Sequence, residues 1–238
     1  MSIVALIPAR GSSKEVPRKN LRRLHGVPLI AWTIQTALAS GVFDRTIVTT
    51  DDSEIAEVSL DYGAEVPFIR PAELATDQTP GISPVLHALD QLPGVQEVML
   101  LQPTSPLRST HDIQGILTKY KDAGAKCAVS VTRNHQHSEW AFQMSSRGYF
   151  LVPDDFRLVS NRQDLPTTYA INGAMYLADC SWLRSQRTFA TPSTLMYEMP
   201  QERSLDIDSE FDLKLATLLL SGKLLPAIST NDDSIAKN

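Results

Sequence analysis

A cluster of cationic side chains directly follows the first apolar segment of the chain, Ile3 to Ile7. Six of the 22 Lys and Arg residues lie between Arg10 and Arg23, although the protein carries a net charge of −5. A nucleoside triphosphate carries about four negative charges and is bound by several cations together. The positive charge of this loop therefore indicates a polyphosphate site, with Arg10, Lys14 and Lys19 as the candidate ligands.

The same loop contains three small residues, Gly11, Ser12 and Ser13. Small residues let backbone N–H groups approach a phosphate closely, and the hydroxyl groups add donors. The spacing matches neither the P-loop nor the G-x-G-x-x-G dinucleotide pattern. The alternative is a solvated basic loop, but a position after the first strand of an α/β sheet favours a ligand site.

Two other segments carry groups that could act on such a ligand. The segment Leu100 to Arg108 begins as an apolar strand and ends in a polar loop with two prolines. Its Gln102, Thr104 and Ser105 offer uncharged donors and acceptors, which suits a polyhydroxylated substrate; the alternative is an ordinary proline turn. Arg162 is a candidate ligand for a substrate carboxylate, which a guanidinium binds through two hydrogen bonds. The alternative is an ordinary surface arginine.

Asp206 and Asp208 are separated by one residue, so in an extended chain both point to the same side. Carboxylate oxygens are the ligands that Mg²⁺ prefers, and the pair therefore predicts a magnesium site. Ser209 and Asp212 resemble a capping box that starts a helix, so the alternative is that one aspartate complements the helix dipole. The five histidines have no metal-ligand spacing.

Alternating strands and helices must position these groups. The pattern predicts a mainly parallel, Rossmann-like α/β sheet with helices on both faces. Ligands bind such sheets beyond the carboxyl ends of the strands, where the polar loops meet. The predicted strands are Ile3 to Ile7, Arg45 to Thr49, Glu65 to Ile69, Glu97 to Leu101 and Lys126 to Val131. The predicted helices between them are Pro28 to Ala39, Ser53 to Tyr62, Ile82 to Gln91 and Asp112 to Asp122.

The alternation of predicted strands and helices stops after Arg133, and a polar segment extends from there to Tyr169. Two strand-like pieces, Trp140–Met144 and Tyr149–Val152, flank a turn and predict an inserted hairpin. The α/β pattern then returns with predicted strands at Ala174 to Ala178 and Thr194 to Glu198, and predicted helices at Ser181 to Arg187 and Glu210 to Leu220. The tail from Asn231 is polar.

Composition excludes several classes of protein. The negative net charge argues against nucleic-acid binding. No apolar run reaches the roughly 18 residues of a membrane span, and the amino terminus lacks the basic flank of a signal peptide. Two cysteines, Cys127 and Cys180, lie in apolar stretches and are expected to be buried and reduced, as in a cytoplasmic protein.

Together these segments closely resemble the acylneuraminate cytidylyltransferases, or CMP-sialic acid synthetases. The resemblance covers about residues 3 to 220. Family motifs match Arg10 to Lys14 with Lys19 and Asn20, Leu101 to Arg108 without change, Arg162 to Pro166, Asn172 to Tyr176, and Asp206 to Asp208. The stretch from Arg70 to Pro80 is similar to the family's nucleotide loop.

The resemblance implies that CTP and a nine-carbon 2-keto sugar acid give a CMP-sugar and pyrophosphate, by direct attack of the 2-hydroxyl on the α-phosphorus. It implies catalytic roles for Arg10, Lys19 and Asp208, and a Mg²⁺ cofactor on Asp206 and Asp208. The implied CTP ligands are Arg10, Gly11, Ser12, Ser13, Lys14, Asn20, Arg70 and Ser83. The implied sugar ligands are Gln102, Thr104, Ser105, Arg162 and Tyr176.

The resemblance also implies a homodimer in which the inserted hairpin crosses to the partner. It divides the chain into a nucleotidyltransferase domain (1–132 and 170–228), an inserted dimerisation segment (133–169) and a tail (229–238). Two positions depart from the family: Ser12 replaces a glycine, and Trp140 stands where sialic acid enzymes often have lysine. Two alternatives to a sialic acid enzyme keep the activity but change the acid: a legionaminic or pseudaminic acid, or the eight-carbon acid of lipopolysaccharide. A third alternative is a non-catalytic CTP-binding role.

Overall fold

The computed structural model describes residues 2–134, 140–151, 161, 163 and 165–221. The strands are β1 (Ile3–Pro8), β2 (Arg23–Leu24), β3 (Val27–Pro28), β4 (Arg45–Thr49), β5 (Glu97–Leu101), β6 (Cys127–Arg133), β7 (Gln143–Met144), β8 (Phe150–Leu151), β9 (Tyr169–Asp179) and β10 (Leu195–Glu198). The helices are α1 (Leu29–Ser40), α2 (Ser53–Asp61), α3 (Ile82–Gln91), α4 (Thr110–Asp122), α5 (Cys180–Gln186) and α6 (Glu210–Leu220).

The main sheet has six strands in the order β10-β6-β9-β5-β1-β4. Every pairing is parallel except those of β9, which runs antiparallel between β5 and β6. The carboxyl ends of β1, β4 and β5 therefore meet at one edge, close to the beginning of β9. This arrangement confirms the predicted, mainly parallel α/β fold.

Helices cover both faces of the sheet, and β1, which is apolar throughout, packs against helices on each face. Ile3, Ala5 and Ile7 pack into one core cluster with α1 and α4, whereas Val4 and Leu6 pack into a second cluster with α3. An unbroken apolar strand is typical of a sheet buried on both sides. The predicted placement of helices on both faces is confirmed.

One predicted strand, Glu65 to Ile69, is wrong as a regular strand. The structure holds only two isolated parallel bridges there, from Ile47 to Glu65 and from Thr50 to Ile69. Pro67 lies between them and has no N–H group to donate to the neighbouring β4, so a continuous ladder cannot form.

The predicted hairpin is confirmed, since β7 and β8 form an antiparallel pair. Its role in dimerisation remains a prediction, as does the division into domains. Both cysteines are free and buried, and burial raises the pKa of Cys127 to about 11 and of Cys180 to about 12. Within the described ranges, no helix is long and apolar enough to cross a membrane.

Candidate active site

The loops after β1 and β5 and the segment before α6 surround a cavity of about 410 Å³. Ten of the predicted site residues line it: Arg10, Ser12, Ser13, Lys19, Asn20, Arg70, Gln102, Thr104, Asp206 and Asp208. Gly11, Lys14, Ser83, Ser105 and Tyr176 are not part of its lining. Arg162 lies outside the described residues.

Gly11 fixes the course of the basic loop against the loop that follows β4. Its N–H donates to Asp51 Oδ1 at 3.1 Å. A Cβ atom at position 11 would lie 2.6 Å from Asp52 Oδ2, inside van der Waals contact. Asp52 cannot move away easily, because its side chain caps α2 and pairs with Arg18. The close approach therefore requires glycine here.

Lys19 and Asn20 reach the cavity from a short 3-10 helix in the same loop. Asn20 is buried and donates from Nδ2 to the Arg10 carbonyl at 3.0 Å, which ties the two ends of the loop together. Lys19 donates to the Ile207 carbonyl at 2.8 Å and to Asp208 Oδ1 at 3.1 Å. This places an ammonium group beside the two predicted metal ligands.

Arg10 and Lys14 both bind one carboxylate, that of Asp77. Arg10 Nη1 lies 2.7 Å from Asp77 Oδ1, and Lys14 Nζ lies 2.8 Å from Asp77 Oδ2. These contacts lower the pKa of Asp77, the Lys14 hydrogen bond most strongly. Asp77 belongs to the loop between Arg70 and α3, which forms the wall of the cavity opposite the basic loop.

The remaining cations of the basic loop serve the surrounding structure. Arg18 pairs with Asp52 and Glu54, Arg22 pairs with Glu210, and Arg23 donates to the Gly26 carbonyl. The loop therefore divides into inward residues, which include Arg10 and Lys19, and residues that anchor it to α2 and α6.

Arg70 is a buried cation of the cavity wall. Burial lowers the pKa of its guanidinium, and among the described residues a 3.3 Å contact from Nη2 to Asp51 Oδ1 is what offsets the cost of burying the charge. Its Nε has no hydrogen-bond partner among the described residues. Ser83 does not reach the cavity; its N–H closes a turn onto the Pro80 carbonyl at 2.9 Å at the start of α3.

Gln102 and Thr104 present their side chains at the end of β5, and Arg108 holds this loop from behind. The Arg108 guanidinium is buried and donates to the Ala174 carbonyl at 2.6 Å and to Thr33 Oγ1 at 2.9 Å. Ser105 is fully buried, so the structure does not bring it to the cavity. The tight loop is thus a rigid platform for two polar groups.

Asp206 and Asp208 share one wall of the cavity because Ile207 between them is buried. The Ile207 N–H donates to the Thr104 carbonyl at 2.8 Å, which joins this extended segment to the Gln102 loop. Burial raises the pKa of Asp206, and Asp208 adds to the shift. Asp206 Oδ1 is buried without a partner in the described structure.

The donor set fits Mg²⁺ rather than a metal bound by protein groups alone. In the described part of the chain, no cluster of three or more His, Cys, Asp or Glu could hold a metal ion. Mg²⁺ is usually bound by one or two carboxylates, with substrate phosphates and water completing the shell. The unpartnered Asp206 oxygen and the exposed Asp208 carboxylate are the groups that could hold Mg²⁺ in this way.

Gly173 allows the beginning of β9 to approach Gln102 and Asp206 closely. A Cβ atom there would lie 3.0 Å from Gln102 Oε1 and 3.2 Å from Asp206 Oδ2, and the backbone has φ of +75°. Asn172, the first residue of the Asn172–Tyr176 motif, does not direct its amide to the cavity. Instead it accepts from Ser130 Oγ at 2.6 Å and donates to Ser204 Oγ at 2.9 Å, which fixes a bulge in the β6–β9 pairing.

Tyr176 does not reach the cavity. Its ring packs against Phe189, with ring centroids 5.3 Å apart, and burial raises the pKa of its hydroxyl, with a further contribution from the Asp206 charge. Sequence reasoning missed Asp51, which binds both Gly11 and Arg70. The signal was present, since Asp51 follows β4 at the same edge as the other loops.

The assembled site combines three cations, Arg10, Lys19 and Arg70, with a carboxylate pair and a polar platform. Such a site can neutralise a metal-bound polyphosphate and orient a second, polar substrate beside it. It holds no nucleophile and general-base pair among the described residues that line it. The chemistry available is positioning and charge stabilisation.

Comparison with known proteins supports this description. The sequence model of the cytidylyltransferase family matches residues 4–222. CMP-N,N'-diacetyllegionaminic acid synthase of Legionella pneumophila is 35% identical over 92% of this chain and 97% of its own length. Pseudaminic acid cytidylyltransferase of Campylobacter jejuni is 33% identical over 92% of this chain and 96% of its own length.

N-acylneuraminate cytidylyltransferase of Escherichia coli is 36% identical over 93% of this chain, which spans 52% of that protein. Among solved structures, CMP:2-keto-3-deoxy-manno-octonic acid synthetase complexed with CTP shares the fold, with a TM-score of 0.72 and 16% identity over 94% of this chain and all of that one. The residues around the cavity, the fold and the match over nearly the whole length agree: the chain belongs to the cytidylyltransferase family.

Proposed function

We propose that this enzyme transfers the cytidylyl group of CTP to the anomeric 2-hydroxyl of a nine-carbon 2-keto sugar acid and releases pyrophosphate. The observation that carries the proposal is the direct contact between Lys19 and Asp208 in the lining of the cavity. It joins the cationic loop to the carboxylate pair at one point, where a metal-bound triphosphate would need both.

Each part of the cavity has a role in this reaction. Arg10 and Lys19 bind the triphosphate and stabilise the charge that develops on the departing pyrophosphate. Asn20 holds the loop that carries them. When Mg²⁺ is bound by Asp206 and Asp208, it supplies a Lewis acid that offsets phosphate charge and lowers the pKa of the attacking hydroxyl.

The sugar acid is placed against Gln102 and Thr104, whose positions are fixed by the buried Arg108. Orientation of the 2-hydroxyl in line with the leaving pyrophosphate is the main contribution of this wall. Arg162, outside the described residues, remains the predicted partner of the sugar carboxylate. Three relatives named for legionaminic, pseudaminic and N-acylneuraminic acids match at 33–36% identity. The substrate is therefore proposed as a class, the nonulosonic acids, and not as one member of it.

A homodimer forms part of the proposal. The hairpin and the start of β9 expose large apolar side chains: Met144, Tyr149, Leu151, Tyr169 and Ile171. Several large apolar side chains exposed on one hairpin and on a nearby stretch of the chain are the kind of surface that a protein partner covers. A partner subunit would cover it, and sedimentation analysis of the purified protein is expected to give twice the mass of one chain.

The decisive experiment measures pyrophosphate release from CTP and Mg²⁺ with a panel of acids. The panel contains N-acetylneuraminic, legionaminic and pseudaminic acids and the eight-carbon acid, and ATP, GTP and UTP replace CTP in parallel. We expect release with CTP and at least one nine-carbon acid. Asp208→Ala is expected to remove turnover while circular dichroism stays unchanged. No release with any nine-carbon acid would contradict the proposal.

A further inference from the structure

In the loop between Arg70 and α3, the Asp77 carboxylate contacts Arg10, a cation of the proposed triphosphate site, and Lys14, which the resemblance assigns to CTP but which does not line the cavity. Arg10 and Lys14 each place a cationic nitrogen within 3 Å of it, one on each carboxylate oxygen. Asp77 accepts from Arg10 Nη1 and from Lys14 Nζ, and an N–H that is used in this way is not available to a phosphate oxygen. The carboxylate therefore occupies the place of an anion in the cavity.

We infer that Asp77 is a stand-in anion that competes with the CTP triphosphate for Arg10 and for the neighbouring Lys14, so that nucleotide binding exchanges these ion pairs for phosphate contacts. The inference rests on the proposed function, because it takes Arg10 as a phosphate ligand; Lys14 pairs with the same carboxylate from outside the cavity lining. It adds Asp77 as a residue that sets the affinity and the charge selectivity of the CTP site.

The position of Asp77 is determined by the turn that carries it. Thr79 Oγ1 donates to the Glu73 carbonyl at 3.0 Å and lies 2.8 Å from Thr76 Oγ1, and the Thr79 N–H donates to the Thr76 carbonyl at 3.2 Å. These bonds close the chain on both sides of Asp77. The carboxylate is therefore held opposite the basic loop by the turn itself, as an organised counter-ion would be.

The electrostatic consequence is a site prepared for exchange. In the absence of nucleotide, Asp77 binds Arg10 and Lys14 together and reduces their mutual repulsion. A triphosphate with about four charges replaces a single carboxylate charge, so the exchange favours the nucleotide. A ligand without phosphate cannot displace Asp77 and meets the cavity with both ion pairs intact.

The test compares CTP and cytidine binding by titration calorimetry in the wild-type protein, Asp77→Asn and Glu73→Gln. Asn keeps the size of the side chain but removes its charge. Glu73 is a carboxylate of the same turn that forms no ion pair with Arg10 or Lys14 in the described structure, so its variant controls for net charge. We expect Asp77→Asn to bind CTP about three- to tenfold more tightly, the gain that two partly exposed ion pairs can supply.

Cytidine affinity is expected to be the same in all three proteins, and CTP affinity of Glu73→Gln to stay within twofold of the wild type. The gain of Asp77→Asn is expected to shrink when Lys14→Gln is added, since one of the two competing pairs is then already absent. CTP binding to Asp77→Asn that is unchanged or weaker overturns the inference, and so does an equal gain for cytidine. A protein that binds CTP but releases no pyrophosphate with any acid contradicts the proposed function alone.

Discussion

The ammonium group of Lys19 lies 3.1 Å from the Asp208 carboxylate and is mostly buried. The two residues are 189 positions apart in the chain, so the contact exists only because the loop after β1 and the segment before α6 fold to the same edge of the sheet. The Ile207 carbonyl accepts a second hydrogen bond from the same nitrogen. Lys19 is thus held in place before any substrate arrives.

Replacement of Lys19 by methionine is expected to lower kcat by about 100-fold or more, the usual cost of removing one organised charge from a transition state. Arg22→Met is the matched control: it lies in the same loop but pairs with Glu210 outside the cavity. Its turnover is expected to stay within about threefold of the wild type. Similar losses in both variants would mean that Lys19 acts only through the structure of the loop. Steady-state pyrophosphate release measures both.

Asp206 makes a second prediction, in which stability and activity change in opposite directions. Burial raises its pKa above the ordinary value of 3.8, so its favourable contribution to folding is present below that value and is lost as pH rises through the raised pKa. At neutral pH and without metal, the ionised carboxylate therefore destabilises the fold. Asp206→Asn is expected to raise the Tm of the metal-free protein while it abolishes pyrophosphate release.

The expected rise is about 2–4 °C for each kcal/mol relieved in a domain of this size. Asp208→Asn serves as the comparison, because that carboxylate is largely exposed and pairs with Lys19. It should lose activity without any gain in Tm. Calorimetry in the presence of a chelator checks both variants, and a Tm of Asp206→Asn at or below that of the wild type would contradict the argument.

Local signals made much of this fold predictable. Helix α3 and strand β5 have the predicted bounds, and α6 begins at the predicted capping box of Ser209 and Asp212. The pairing of strands that are far apart in the sequence was harder to predict. No local pattern indicates that β9 runs antiparallel between β5 and β6.

The candidate site was also predictable only in part. Its cations and carboxylates could be named because each follows a strand at the ligand-binding edge. The partners of those groups could not, since the contact of Asp77 with Arg10 depends on tertiary structure alone. Asn172 is a second example, because it lies in a motif that resembles the family's but its side chain bonds to Ser130 and Ser204.

Gly11 provides a third prediction, based on the space available to a methyl group. In Gly11→Ala the new Cβ would meet Asp52, which is held by α2 and by Arg18. The loop must shift, and CTP binding is expected to weaken about tenfold. Gly81→Ala is the control, because Gly81 lines the cavity itself but has open space around it and a negative φ. Its CTP affinity should match the wild type, and equal affinities for all three proteins would refute the steric argument.

The ion pair between Arg203 and Asp112 gives a fourth prediction, about stability and pH. Asp112 is fully buried and accepts two hydrogen bonds from Arg203, at 2.8 and 2.9 Å. Burial alone would raise the pKa of Asp112, but the hydrogen bonds from Arg203 and Ser109 outweigh it and lower the pKa. The stability that this carboxylate contributes is therefore present above about pH 4 and is lost as pH falls through its lowered pKa.

Arg203→Gln leaves the buried carboxylate without its cation and is expected to cost about 2–4 kcal/mol of unfolding free energy at pH 7. Because the wild-type protein loses this contribution in acid, the difference between the two proteins should narrow below pH 4. Arg184→Gln removes an exposed pair with Asp90 and should cost less than about 1 kcal/mol at either pH. Urea denaturation at pH 7 and at the lowest pH where both proteins fold measures these values. A difference between wild type and Arg203→Gln that does not change with pH would show that the ionised Asp112 carboxylate is not what Arg203 stabilises.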